Sequence, residues 1–205
     1  MTNVNDLITI RKPPPNRANK TEGDLEKHFT EAAVMLAYVT YLMDQHPELD
    51  GIEIHPDGEH GKRFDVRGWL ERRGYKLIEP QGKTTYGGRY EKGNRSILVS
   101  LKPGLGDVVG QLNNSKIVAE CKGGIINTKH AGQKSKLRRG LCEAVGLLMS
   151  REDTGEKQYA VIPLTDETKR LAAQMQQRCR KAGIEIILIR ADGMIANMKT
   201  ERDVS

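Results

Sequence analysis

Residues 107–122 read DVVGQLNNSKIVAECK. Two β-prone runs, DVVGQL and SKIVAECK, flank Asn113-Asn114, and asparagine tolerates the left-handed backbone that a tight hairpin turn demands. With the two asparagines as the loop, Leu112 pairs with Ser115, and counting five places back along each strand sets Asp107 opposite Glu120. Facing residues have Cβ atoms about 5 Å apart. Two carboxylates so placed repel each other unless a cation lies between them, and hard oxygen donors at that spacing suit Mg²⁺ or Mn²⁺. Lys122, two places past Glu120, shares its face of the strand. The register thus gathers an acid, an acid and an ammonium around one point.

Outward from the hairpin, SILVSL at 96–101 reads as a strand and completes an expected three-strand meander. After the Gly123-Gly124 break, 133–149 returns to helical spacing, with Leu137, Leu141, Ala144 and Leu148 on one stripe. The last third reads strand, helix, strand: QYAVIPL at 158–164, a helix over 166–181 stopped by Gly183, and IEIILI at 184–189. Two apolar strands flanking such a helix predict a right-handed parallel crossover in a sheet covered on both faces.

Upstream, Leu25, Phe29, Ala32, Leu36, Val39 and Met43 recur at spacings of four and three. This predicts a long first helix from Thr21, with Thr21 and Asp24 as a capping box and Pro47 closing it. Residues 46–95 are rich in glycine and charge, with a short helix expected at 64–73 and a short strand at 75–78; they form a candidate insertion or substrate-binding region. Residues 1–20, with Pro13-Pro14-Pro15, read as a flexible basic arm that builds no core. The expected fold is therefore α/β, with a mixed sheet flanked by helices, in one domain over 21–205.

The chain has 205 residues, with 33 Lys and Arg against 27 Asp and Glu, a net charge of +6. Residues 116–140 alone carry seven basic residues and one acid, so the whole excess lies there. Charge concentrated in one segment points to a polyanionic partner, nucleic acid being the commonest, against the alternative of a solvated helix face. Lys134, Lys136, Arg138 and Arg139 crowd the first half of the helix that follows Lys122 and are its candidate phosphate contacts. No apolar run nears the roughly 18 residues of a membrane span, and the N-terminus lacks the apolar centre of a signal peptide, so the expectation is a cytoplasmic protein without a membrane partner. Cys121, Cys142 and Cys179 have no zinc-ligand spacing. His28, His46, His55, His60 and His130 match no catalytic histidine motif; His130 stands close enough to the acid pair to touch DNA.

Asp107, the apolar run Ile117-Val118-Ala119, and Glu120-Cys121-Lys122 together resemble the PD-(D/E)XK nuclease superfamily, the restriction endonuclease-like fold. That family's core runs helix, three-strand meander, helix, strand, helix, strand, and the resemblance covers this chain from about Thr21 to Arg190. It implies that Asp107 and Glu120 hold Mg²⁺ or Mn²⁺ with the Cys121 backbone carbonyl, and that Lys122 orients or activates the attacking water. The family's proline before the first acid is Gly106 here. Many such nucleases add an acid from the first helix; Glu31, which helical spacing sets among Met35, Tyr38 and Leu42, is the candidate, with a boundary residue paired with His28 or Lys27 as the alternative. Gln133 resembles a glutamine that some branches place beside the metal, with a helix-capping role as the alternative. The function implied is a Mg²⁺-dependent endonuclease acting on DNA, of a restriction or defence type. A catalytically inactive DNA-binding module of the same fold, serving as a subunit of a repair or defence complex, is the other reading, and a homodimer stays open.

Overall fold

A computed structural model describes residues 6–56, 63–113, 115–152 and 154–196; His60 and Asn114 lie outside the described residues. In chain order the elements are β1 (Ile8–Arg11), a 3-10 turn (Pro15–Arg17), β2 (Glu26–Phe29), α1 (Glu31–Gln45), β3 (Gly51–Ile54), α2 (Val66–Arg72), β4 (Lys76–Pro80), β5 (Gly88–Lys92) and β6 (Arg95–Val99). They continue with β7 (Val108–Leu112), β8 (Ser115–Cys121), β9 (Gly124–Ile125), α3 (Ala131–Met149), β10 (Lys157–Pro163), α4 (Asp166–Lys181) and β11 (Ile184–Ile189). One mixed sheet runs β11-β10-β8-β7-β3-β6-β5-β4, and a small second sheet runs β1-β2-β9.

The central hairpin has the expected register, with Leu112 facing Ser115 and Val108 facing Ala119. Asn113 turns the corner at φ 52°, a conformation asparagine adopts more readily than most residues. Strand β8 is apolar on both faces because helices lie on both sides. Ile117, Ala119 and Cys121 join the cluster built on α1, while Val118 packs with Leu141, Ala144 and Leu148 of α3 and Ala172 of α4. Strands β8, β10 and β11 run parallel, as the crossover reading requires. No described helix is long and apolar enough to cross a membrane.

Three expectations are corrected. The long first helix begins at Glu31, capped by the Thr30 hydroxyl accepting from the Ala33 N–H at 3.3 Å, and the segment before it is strand β2. Within that strand Glu26 and Phe29 are buried and Lys27 is exposed, and before it Leu25 is 46% exposed, so its helical spacing to Phe29 marks no buried stripe. Asn127 holds this strand in place: its Oδ1 accepts from the Lys27 N–H at 2.8 Å, and its Nδ2 donates to the Glu22 and Leu25 carbonyls. Second, the described part of the proposed arm is folded. Leu7 is buried, β1 pairs with β2, and Arg17 grips Glu26 through two hydrogen bonds.

Third, the strand at 96–101 does not pair with the hairpin. Strand β3 lies between them, antiparallel to β7 and parallel to β6. Its two buried isoleucines, Ile52 and Ile54, supply too short an apolar run to stand out in a charged stretch. The short helix and strand expected within 46–95 are present as α2 and β4.

Candidate active site

One step past the Val108–Ala119 pair, Asp107 and Glu120 come close enough for their charges to interact. Asp107 stands at the start of β7, its Oδ2 accepting from the Cys121 N–H at 2.7 Å, which fixes the carboxylate against β8. Glu120 is only 5% exposed and lies on the face covered by α3. Arg151, just beyond α3, donates from its guanidinium to Glu120 Oε1. Gly106, where the resemblance expects proline, has a steric explanation. A Cβ there would lie 2.9 Å from the Ala119 carbonyl oxygen and 2.9 Å from Val118 Cγ1.

Burial, reinforced by the Asp107 charge, pushes the Glu120 carboxyl up to about 7 against the pull of Arg151 and Lys122. Its pKa in the folded state lies above the ordinary value of 4.5, so the protonated form favours folding. That contribution is present below the unfolded value and is lost as pH rises through about 7. In metal-free buffer, Glu120→Gln is therefore expected to match the native melting temperature near pH 4.5 and to exceed it by pH 8. A difference that does not change with pH contradicts this placement of the charge.

Lys122 continues the β8 ladder, its N–H donating to the Val161 carbonyl at 2.9 Å. Its ammonium lies 2.9 Å from Glu143 Oε1 and 3.6 Å from Glu31 Oε1. Burial alone would favour the neutral amine, but Glu31, Glu143 and Asp107 outweigh it and hold the pKa above the ordinary lysine value. Lys122 is thus a fixed positive charge at neutral pH and not a proton acceptor. Gly123 allows this pairing: a Cβ on it would lie 2.5 Å from the Glu31 nitrogen and 2.6 Å from the Phe29 carbonyl oxygen, both backbone atoms. The bare glycine lets the start of α1 reach Lys122.

A cavity of about 680 Å³ opens beside Lys122 and Glu31, and α3 lines it with Gln133, Lys136, Arg139 and Glu143. These positions recur at spacings of three and four, one polar stripe of the helix. The other two expected phosphate contacts lie elsewhere. Lys134 reaches Glu167 Oε1 on α4 at 3.5 Å, and exposed Arg138 does not line the cavity. His130 caps α3, its Nδ1 accepting from the Gly132 N–H at 3.1 Å, so the capping role weighed for Gln133 falls to His130.

Asp107, Glu120 and the Cys121 backbone offer only hard oxygen donors at a point where two negative charges repel, which fits a small divalent cation. Glu31, the candidate third acid, lies 3.6 Å from the Lys122 ammonium, and among the described residues no group of three His, Cys, Asp or Glu side chains is gathered into a metal cluster. The Cys121 thiol is buried, and burial pushes its pKa up, so it behaves as a small apolar group.

Sequence reasoning missed Arg151 and Glu143, the partners of Glu120 and Lys122. Following the polar stripe of α3 instead of its apolar one would have found Glu143; no pattern in the sequence marks Arg151. The chain matches no protein-family model, no curated protein and no solved structure.

Proposed function

We propose that the chain is a divalent-metal-dependent endonuclease acting on DNA, built on a restriction endonuclease-like core. The observation that carries this reading is the meeting of Asp107, Glu120 and Lys122 at the open end of the β7–β8 hairpin. The order of elements supports it: helix α1, antiparallel strands β3, β7 and β8, helix α3, strand β10, helix α4 and strand β11. In this reading α2 and β4–β6 are an insertion between the first two core strands.

Asp107, Glu120 and the Cys121 carbonyl would hold Mg²⁺ or Mn²⁺, which supplies charge to the scissile phosphate and lowers the pKa of a bound water. Lys122 orients that water or offsets charge developing on the phosphate, and Glu31 and Glu143 keep it protonated and in place. Purified protein is expected to nick plasmid DNA with Mg²⁺ or Mn²⁺, to stop with EDTA, and to lose the activity in Glu120→Ala while staying folded. Full activity in that variant rejects the assignment.

One observation favours the second reading, a non-catalytic DNA-binding module. Arg151 already supplies a positive charge to Glu120. The two readings separate in Arg151→Ala. If a metal belongs there, removing the competing cation tightens Mn²⁺ binding; if the arginine is the resident cation, the variant melts lower and gains no Mn²⁺ affinity.

DNA binding itself is expected to depend on the polar stripe. Lys136→Ala with Arg139→Ala should weaken binding and lower the salt slope by about 0.7–0.9 for each lost phosphate contact. Lys134→Ala with Arg138→Ala should change it far less. Anisotropy titrations at several salt concentrations decide between them.

A further inference from the structure

The cavity beside Lys122 has a second wall that the α3 residues do not explain. Arg11 of β1, Arg17 of the 3-10 turn and Arg63 before α2 line it from the side of the small sheet, opposite Lys136 and Arg139. With Lys122 this makes six cationic side chains around one space, against the carboxylates of Glu31 and Glu143, both of which are engaged by Lys122. Among the described residues, Arg11, Arg63, Lys136 and Arg139 have no carboxylate within ion-pair distance. So many like charges do not converge without an anionic occupant in view.

The far wall is held in position. Arg17 donates to both oxygens of Glu26 at 2.7 and 3.2 Å, and Glu26 is 1% exposed. A bidentate pair to a buried carboxylate fixes the guanidinium plane before any ligand arrives. The Arg63 carbonyl accepts from the Thr9 hydroxyl at 3.4 Å, tying that arginine's backbone to β1. The small sheet is in turn anchored to the main body where β9 follows directly on Lys122 and Gly123.

Size selects the ligand. At about 680 Å³ the cavity falls in the range of clefts that take small ligands. It takes in a nucleotide-sized portion of one strand and is too small to take in a whole duplex. The lining is mainly guanidinium and ammonium, and among the described residues its aromatic rings are buried Phe29 and the His28 imidazole held by Glu26, so the contacts are to phosphates and carry little base preference.

We infer that the cleft between α3 and the β1-β2-β9 sheet binds a single DNA strand by its phosphates and leads it to Lys122. This rests on the nuclease reading and names the form of DNA that reaches the site. The test is fluorescence anisotropy in EDTA with a labelled oligo(dT) and a labelled blunt hairpin duplex, using the full chain and its Arg11→Ala/Arg63→Ala variant. Both arginines are exposed, and circular dichroism checks that the variant is folded. The native chain should prefer the single strand about tenfold, and the double variant should lower the single-strand salt slope by about 1.4, or 0.7 for each lost contact. Equal affinity for the duplex, or unchanged binding in the variant, overturns the inference. Cleavage of the oligo(dT) and of plasmid with Mg²⁺ is measured in parallel. Cleavage of either substrate that persists when the strand preference fails removes the cleft alone, while strand binding as expected with neither substrate cut removes the nuclease reading and leaves the cleft assigned.

Discussion

Lys122→Met is expected to lower DNA cleavage by about 100- to 1,000-fold, the loss seen when one group that stabilises transition-state charge is removed. Methionine keeps an unbranched stem of similar length where Lys122 packs against Gly140 and removes only the charge. Because Glu31, Glu143 and Asp107 hold the ammonium protonated, the native side chain offers a constant positive charge and no proton acceptor. The deficit should therefore fall on kcat and persist at high pH, where a lysine acting as a base would otherwise gain activity. Glu143 is largely exposed and Glu31 partly so, and losing their partner should change the melting temperature little. Kinetics of plasmid nicking across pH check this, and a variant with native kcat would detach Lys122 from the chemistry.

Gly123→Ala should destabilise the protein by about 1–3 kcal/mol, because the new methyl group meets backbone atoms of Phe29 and Glu31 that cannot rotate away. A shift of roughly 2–4 °C in Tm for each kcal/mol is expected for a chain of this length. The same push separates Glu31 from Lys122, so cleavage should fall with stability. Gly146 provides the contrast. It is an exposed glycine within α3 whose added Cβ would meet nothing within 4 Å. Gly146→Ala should stabilise the helix by up to about 1 kcal/mol. Thermal melts of the two variants side by side distinguish close approach from simple loss of a flexible residue.

What the sequence reveals follows from how local each signal is. The hairpin was legible because Asn113 and the two flanking runs fix register within a dozen residues, and register alone carries Asp107 to Glu120. Helix α4 and strands β10 and β11 were legible for the same reason, as long periodic segments between clear stops. Strand β2 was not, because Leu25 and Phe29 happen to stand four apart, and what makes the segment extended is Asn127, about a hundred residues away. Strand β3 was not, because its place between β7 and β6 depends on pairing with two distant strands. At the site, the acids and the lysine came from one hairpin, whereas Arg151, Glu143 and the arginines of the small sheet reach it from separate elements. Counting charge in one segment located half of the basic cleft and left out Arg11, Arg17 and Arg63.

In the proposed site, Asp107 and Glu120 would jointly hold a divalent cation. Titration of Mn²⁺ into the purified protein, followed by the loss of the free-ion EPR signal, measures this without requiring cleavage. A saturable site is predicted in the native chain, weakened at least tenfold in Asp107→Asn and in Glu120→Gln. No saturable site in the native chain, or binding unchanged in both variants, would contradict the account.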